Sequence, residues 1–138
     1  MGLICGARGV LVVFCAAHLA NPNATLLSAI AIMVEAGIFL GAAYMLTRRL
    51  WLAIGIHAGW NFTEGGIFGV SISGGAATKG IFSVALVGHP LLTGGAFGPE
   101  ASIVAIVACL AVAAVLLALA VRAGRWLPMS RRAVRSAA

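Results

Sequence analysis

The chain has 138 residues, 62% of them hydrophobic and 9% charged, with a mean hydropathy of +1.11. A soluble domain carries roughly 25% charged residues, so a water-soluble globule is excluded. The acidic residues are Glu35, Glu64 and Glu100 and there is no aspartate, so neither an aspartyl dyad nor a Ser-His-Asp triad can be built from this chain. The net charge of +6 does not point to nucleic acid, because the arginines flank apolar segments and form no basic face interleaved with aromatics.

Crossing a bilayer core about 30 Å thick takes about 20 apolar residues of helix. Segment one, about residues 3–19, is marginal in length. With Arg8 before an apolar stretch and small residues at Ala16, Ala17 and Ala20, it also has the form of a signal peptide. The alternative is that Met1 begins partway into a membrane helix. The turn Asn21-Pro22-Asn23 ends this segment, since Pro22 restricts Asn21 away from helical geometry. Segment two covers about 25–47 with Glu35 as its only charge, segment three 50–70, and segment four 101–121 with no charge. The expected fold is therefore all-α, a polytopic membrane helix bundle of about four transmembrane segments over residues 1–121, followed by a basic tail at 122–138.

Arg48 and Arg49 join segments two and three, and Arg122, Arg125, Arg131, Arg132 and Arg135 follow segment four. Two crossings separate the clusters, so both should face one side, which the positive-inside rule makes the cytoplasm. Trp51 and Trp126 suit an aromatic belt there. The expected location is thus integral and multi-pass, with the Arg48/Arg49 turn and the tail cytoplasmic, and the Asn21-Pro22-Asn23 turn and the loop from about Ser71 to Pro99 on the other side. The spacings Gly37-x-x-x-Gly41, Gly55-x-x-x-Gly59 and Gly65-x-x-x-Gly69 predict close helix contacts. Cys5, Cys15 and Cys109 lie in apolar runs without C-x-x-C spacing and read as small buried hydrophobes.

Ionisable side chains inside a membrane are costly, so each is a candidate functional residue. Those residues are His18, Glu35, His57 and Glu64, with Asn61 as a polar companion. His57, Asn61 and Glu64 follow at four and then three residues, so an α-helix puts them on one stripe, beside Trp60. From Leu50, His57 would lie about 10 Å and Glu64 about 21 Å deep. A straight helix from Leu3 would put His18 about 22 Å deep, near the level of Glu64 and above His57. Two histidines on different helices could ligate zinc or another divalent metal, which in a catalytic site takes about three protein ligands and a water. Asn61, Glu35 or Glu64 would have to supply the third ligand.

The run Phe14-Cys15-Ala16-Ala17-His18, then Asn21-Pro22, then Gly41 to Trp51, then Gly55-Ile56-His57-Ala58-Gly59-Trp60-Asn61-Phe62 resembles the CPBP family of CAAX-processing and bacteriocin-processing intramembrane proteases. The F-x-x-x-H and H-x-x-x-N motifs of that family both occur, in order, supported by Phe14 and Trp60. The later Ser73-Gly74 and Thr93 to Ser102 stretches are similar to bacterial members more loosely. The resemblance implies an endopeptidase acting on peptides or membrane-associated polypeptides in the bilayer, in which a glutamate activates a water. It further implies that His18 and His57 position that water or a metal, and that Asn61 holds the oxyanion of the tetrahedral intermediate. The family's E-E-x-x-x-R motif is absent from these 138 residues. The chain is then expected to be the C-terminal portion of a family domain, an incomplete or inactive form lacking an N-terminal portion, with Glu64 or Glu35 as a substitute general base.

Other readings compete with this one. Ser71 within Gly69-Val70-Ser71-Ile72, followed by His89, would suit a serine protease, although nothing fixes the pair. His18 and His57 could serve as axial haem ligands. A non-catalytic membrane scaffold or immunity-type protein would use the polar stripe only for packing or partner binding.

Overall fold

The computed structural model describes residues 13 and 16–125. Most of segment one, Phe14, Trp126 and the arginines from Arg131 onward lie outside the described residues. Residues 16–19 are helical and lead into the Asn21-Pro22-Asn23 turn. Helix α1 (Leu26–Thr47) follows, with a π-helical centre at Met33–Leu40. Helix α2 (Leu50–Asn61) runs on as a π-helical stretch, Phe62–Phe68. A long loop contains the short helix α3 (Pro90–Thr93) and a 3-10 turn, Pro99–Ala101, before helix α4 (Ile103–Arg122). Among the described residues there is no strand, as the all-α reading requires.

Local chemistry sets these boundaries. Thr25 caps α1 by accepting from the Ser28 amide at 3.1 Å, while the Ser28 hydroxyl accepts from the Thr25 amide at 2.8 Å, a reciprocal box that satisfies two otherwise orphan donors. At the other end Arg48 adopts a left-handed conformation, φ 58°, and its amide donates to the Tyr44 carbonyl at 2.7 Å. Arg49 is extended and α2 begins at once, so two residues reverse the chain. Ser102 caps α4, its hydroxyl accepting from the Ala105 amide at 3.1 Å.

The main seam joins α1 to α4. Ser28, Ala29, Ala31, Ala42 and Ala43 are buried on α1, and Ala105, Cys109, Ala113 and Ala120 on α4. Small side chains let the two backbones approach closely, which is how apolar helices associate where water supplies no drive. This differs from the expectation placed on glycine. A Cβ on Gly41, Gly55 or Gly59 would meet nothing within 4 Å, whereas one on Gly65 would lie 2.5 Å from Ile72 and one on Gly69 2.8 Å from the Gly80 amide, so only the third pair is closely approached, and by the loop; alanine does the close packing between α1 and α4. Cys109 is a buried thiol in this seam, as its apolar context suggests.

Two of the four expected spans, α1 at 22 residues and α4 at 20, are long and apolar enough to cross a membrane. In α4 only 22% of the most apolar stretch is buried. Val104, Val107 and Val115 are more than half exposed. The core helix of a water-soluble protein would bury such a surface, so lipid is the solvent that suits α4. The third expected span is helical from Leu50 to Phe68 but is not among the helices meeting that measure.

The ends of the bundle agree with the sequence reading. A guanidinium nitrogen of Arg48 donates to the Arg125 carbonyl, and one of Arg125 donates to the Leu46 carbonyl, so the α1–α2 turn and the end of α4 share one end of the molecule. At the opposite end the loop folds back on the Asn21-Pro22-Asn23 turn. The Asn21 side chain donates to the Ser73 carbonyl at 2.9 Å, and that of Asn23 to the Gly74 carbonyl at 3.1 Å. The Gly74 amide in turn donates to the Phe97 carbonyl at 2.7 Å. Phe97 packs into the core with Ile32 and Ala101.

Gly74 has φ +82°, and a Cβ there would lie 1.8 Å from the Pro22 carbonyl oxygen. Gly74→Ala should therefore force apart the loop and the turn and cost about 2 kcal/mol or more. Thermal unfolding in detergent reads this as a lowered midpoint, and an unchanged midpoint would refute the tight approach.

Candidate active site

Of the polar residues singled out from the sequence, His18, Glu35, His57 and Asn61 converge on one cleft. His18 enters from the helical turn before Asn21, Glu35 from the π-helical centre of α1, and His57, Trp60 and Asn61 from α2. Ser73 and Glu100 enter from the loop and Cys109 from α4. Ile32, Ala36, Phe39, Leu40 and Ile56 complete an apolar wall. His18 and His57, expected at different depths, both line this cleft.

Glu64 departs from expectation. It is buried, 7% exposed, yet does not line the cleft with His57 and Asn61. The helix changes to π-helical pitch at Phe62, so the stripe that α-helical spacing would draw through residues 57, 61 and 64 breaks before reaching Glu64. Glu64 takes the indole N–H of Trp60, one turn back. One oxygen of its carboxyl, Oε2, has no hydrogen-bond partner among the described residues.

Glu35 is in the cleft, 7% exposed. Its Oε1 has no hydrogen-bond partner among the described residues. A buried acceptor without a donor costs free energy, and such groups concentrate where structure serves function. Both candidate bases are thus buried with an unsatisfied oxygen, and only Glu35 faces the histidines.

Glu100 was not recognised from sequence as a site residue. It is 4% exposed, and its Oε2 accepts from the Ser73 amide at 2.6 Å and the Ser73 hydroxyl at 2.7 Å. The sequence signals were that it is one of three acids in an apolar chain and that it falls within the Thr93 to Ser102 stretch.

The metal expectation can be set against the donors present. Among the described residues no group of three or more His, Cys, Asp or Glu is arranged to hold a metal ion. His18, Glu35, His57 and Asn61 nevertheless share the cleft, so donors of the types a divalent metal takes are gathered there. The serine reading has no geometry behind it. The Ser71 hydroxyl donates to the Gly75 carbonyl at 2.5 Å, while exposed His89 caps α3 by accepting from the Leu91 amide at 3.3 Å.

Comparison with known families bears on the same residues. The family model described as type II CAAX prenyl endopeptidase, Rce1-like, matches residues 4–63. That stretch spans both motifs, Phe14 to His18 and His57 to Asn61. Residues 4–63 are thus similar to the CAAX-processing proteases. The matched segment supplies His18, Glu35, His57, Trp60 and Asn61 to the cleft, while Ser73, Glu100 and Cys109 come from beyond it. The family that this segment resembles is membrane-integral, in keeping with the two apolar helices. No curated protein and no solved structure matches the chain.

Proposed function

We propose that this chain contributes the catalytic cleft of an intramembrane endopeptidase of the CAAX-processing type, which hydrolyses a peptide bond in a membrane-associated polypeptide. The observation that carries the reading is the convergence of His18, His57 and Asn61 on one cleft with Glu35, one of whose carboxyl oxygens has no partner among the described residues. In the proposed reaction, His18 and His57 hold a water against the scissile carbonyl. Its oxygen attacks the carbonyl carbon as Glu35 takes its proton. The Asn61 side-chain N–H groups stabilise the oxyanion of the tetrahedral intermediate. The C–N bond then breaks, and the proton held on Glu35 passes to the departing amine. Glu35 is preferred to Glu64 because only Glu35 lines the cleft.

The same reading has four crossings, with segment one and α2 spanning beside α1 and α4, and puts the Arg48/Arg49 turn and residues 122–138 on the cytoplasmic side. Substrates enter the cleft as extended peptides from the membrane surface, and a prenylated C-terminus is the first chemistry to try.

The test uses the full chain reconstituted in liposomes with a quenched fluorogenic peptide bearing a prenylated C-terminus, alongside an unprenylated peptide of the same sequence. The expected result is cleavage by the wild type and a fall of about 10²-fold or more for His18→Ala. Equal rates for the two proteins, or none from the wild type on either peptide, would overturn the reading.

A further inference from the structure

We propose that Glu100 is a positioning residue of this site, acting through Ser73 and Asn21 to fix the helical turn that carries His18; this rests on the protease reading above. The links are continuous. Glu100 Oε2 accepts from both the amide and the hydroxyl of Ser73, at 2.6 and 2.7 Å. Ser73 is held at φ 47°, a left-handed conformation that a serine rarely adopts without support from its surroundings. In that conformation its carbonyl accepts from the Asn21 side chain at 2.9 Å. The Asn21 amide donates to the carbonyl of His18 itself at 3.2 Å. A parallel strap from Asn23 to the Gly74 carbonyl, at 3.1 Å, keeps the turn from pivoting.

The need for such a brace follows from where His18 sits. The helix bearing it ends within two residues, at Ala20, so its own backbone holds the side chain less firmly than the middle of α2 holds His57. The loop supplies what the helix end lacks. Glu100 is well placed for this because the core fixes it from behind, with Ala101 and Ser102 buried and Ser102 capping α4. A single oxygen receiving two donors serves as a fixed acceptor, so its role is geometric. Glutamine, whose amide oxygen accepts the same two bonds, should replace it, whereas leucine should not.

The experiment compares Glu100→Gln, Glu100→Leu and Ser73→Ala with the wild type, each as the full chain in nanodiscs. Two quantities are read: amide hydrogen exchange over residues 20–24 and 71–75, and kcat and KM separately. Glu100→Leu should speed exchange at Asn21, Ala24 and Ser73 while α4 keeps its protection. It should lower kcat about 10- to 100-fold, the scale expected of a displaced catalytic group, with KM within about threefold. Glu100→Gln should restore both readouts, and Ser73→Ala, which removes one of the two bonds, should fall between them and decide the matter should the leucine variant fail to fold.

A glutamine variant as impaired as the leucine variant, with wild-type exchange, would overturn the proposal, since charge or proton transfer would then be what matters. Unchanged exchange in both Glu100→Leu and Ser73→Ala would overturn it too. Should the wild type cleave nothing, the protease reading fails while the exchange comparison still decides the tether: loosening at 20–24 supports it, and none refutes it.

Discussion

Replacing His57 with alanine is expected to lower kcat for peptide cleavage by about 10²- to 10⁴-fold, the range for loss of a group that handles a reacting water. KM should stay nearly constant, because the interaction removed belongs to the transition state. The fold should survive. His57 is half-buried on α2, among neighbours that include exposed Gly55, Ala58 and Gly59. Purification yield and thermal midpoint in detergent serve as the control. A variant that keeps both its stability and its kcat would remove His57 from the chemistry, and with it the reading of the H-x-x-x-N motif.

Glu35→Leu should move stability and activity in opposite directions. The Glu35 carboxyl sits against Ile32, Ala36 and Phe39, with one oxygen lacking a donor among the described residues. An unsatisfied buried polar group costs about 1–3 kcal/mol. Leucine, of similar size and compatible with helix, recovers much of that and should raise the thermal midpoint by a few degrees. Cleavage should fall by about 10²-fold or more, because the proton acceptor is gone. Glu35→Gln isolates the second effect, keeping size and polarity while removing the base. Glu64→Gln is the comparison that discriminates, since Glu64 does not line the cleft and its substitution should leave kcat within about threefold of wild type. The reverse pattern, with Glu64→Gln inactive and Glu35→Gln active, would transfer the role of base to Glu64.

The parts of this site that were legible in the sequence were those made conspicuous by apolar surroundings. His18, Glu35, His57 and Asn61 stand out because a polar group within an apolar helix needs a reason to be there, and all four meet in the cleft. Glu100 was not legible because it falls between a glycine-rich loop and the start of α4, where a charge needs no special reason. Only the fold-back of the loop onto Asn21 and Asn23 brings it to the histidines. Glu64 misled for a different reason: side-chain spacing identifies a helix face only while the pitch holds, and the change at Phe62 leaves no mark in composition. The α1–α4 seam was obscured because alanine is so common in this chain that its pattern carries little information, whereas the glycine pairs drew attention without packing against anything at Gly41, Gly55 and Gly59.

The crossed braces of Arg48 and Arg125 gather four permanent cations, Arg48, Arg49, Arg122 and Arg125, at one end of the bundle. Moving one elementary charge across a membrane potential of 100 mV takes about 2.3 kcal/mol, so an energised membrane would oppose inversion of this end by roughly 9 kcal/mol in all. The guanidinium groups of Arg48 and Arg125 also rest on backbone carbonyls at or beside a helix C-terminus, where the negative end of the helix dipole favours them. Under the four-crossing reading, a maintained potential would therefore favour one orientation over the other. Liposomes without a potential remove that bias, and the two orientations then mix according to how the protein was inserted.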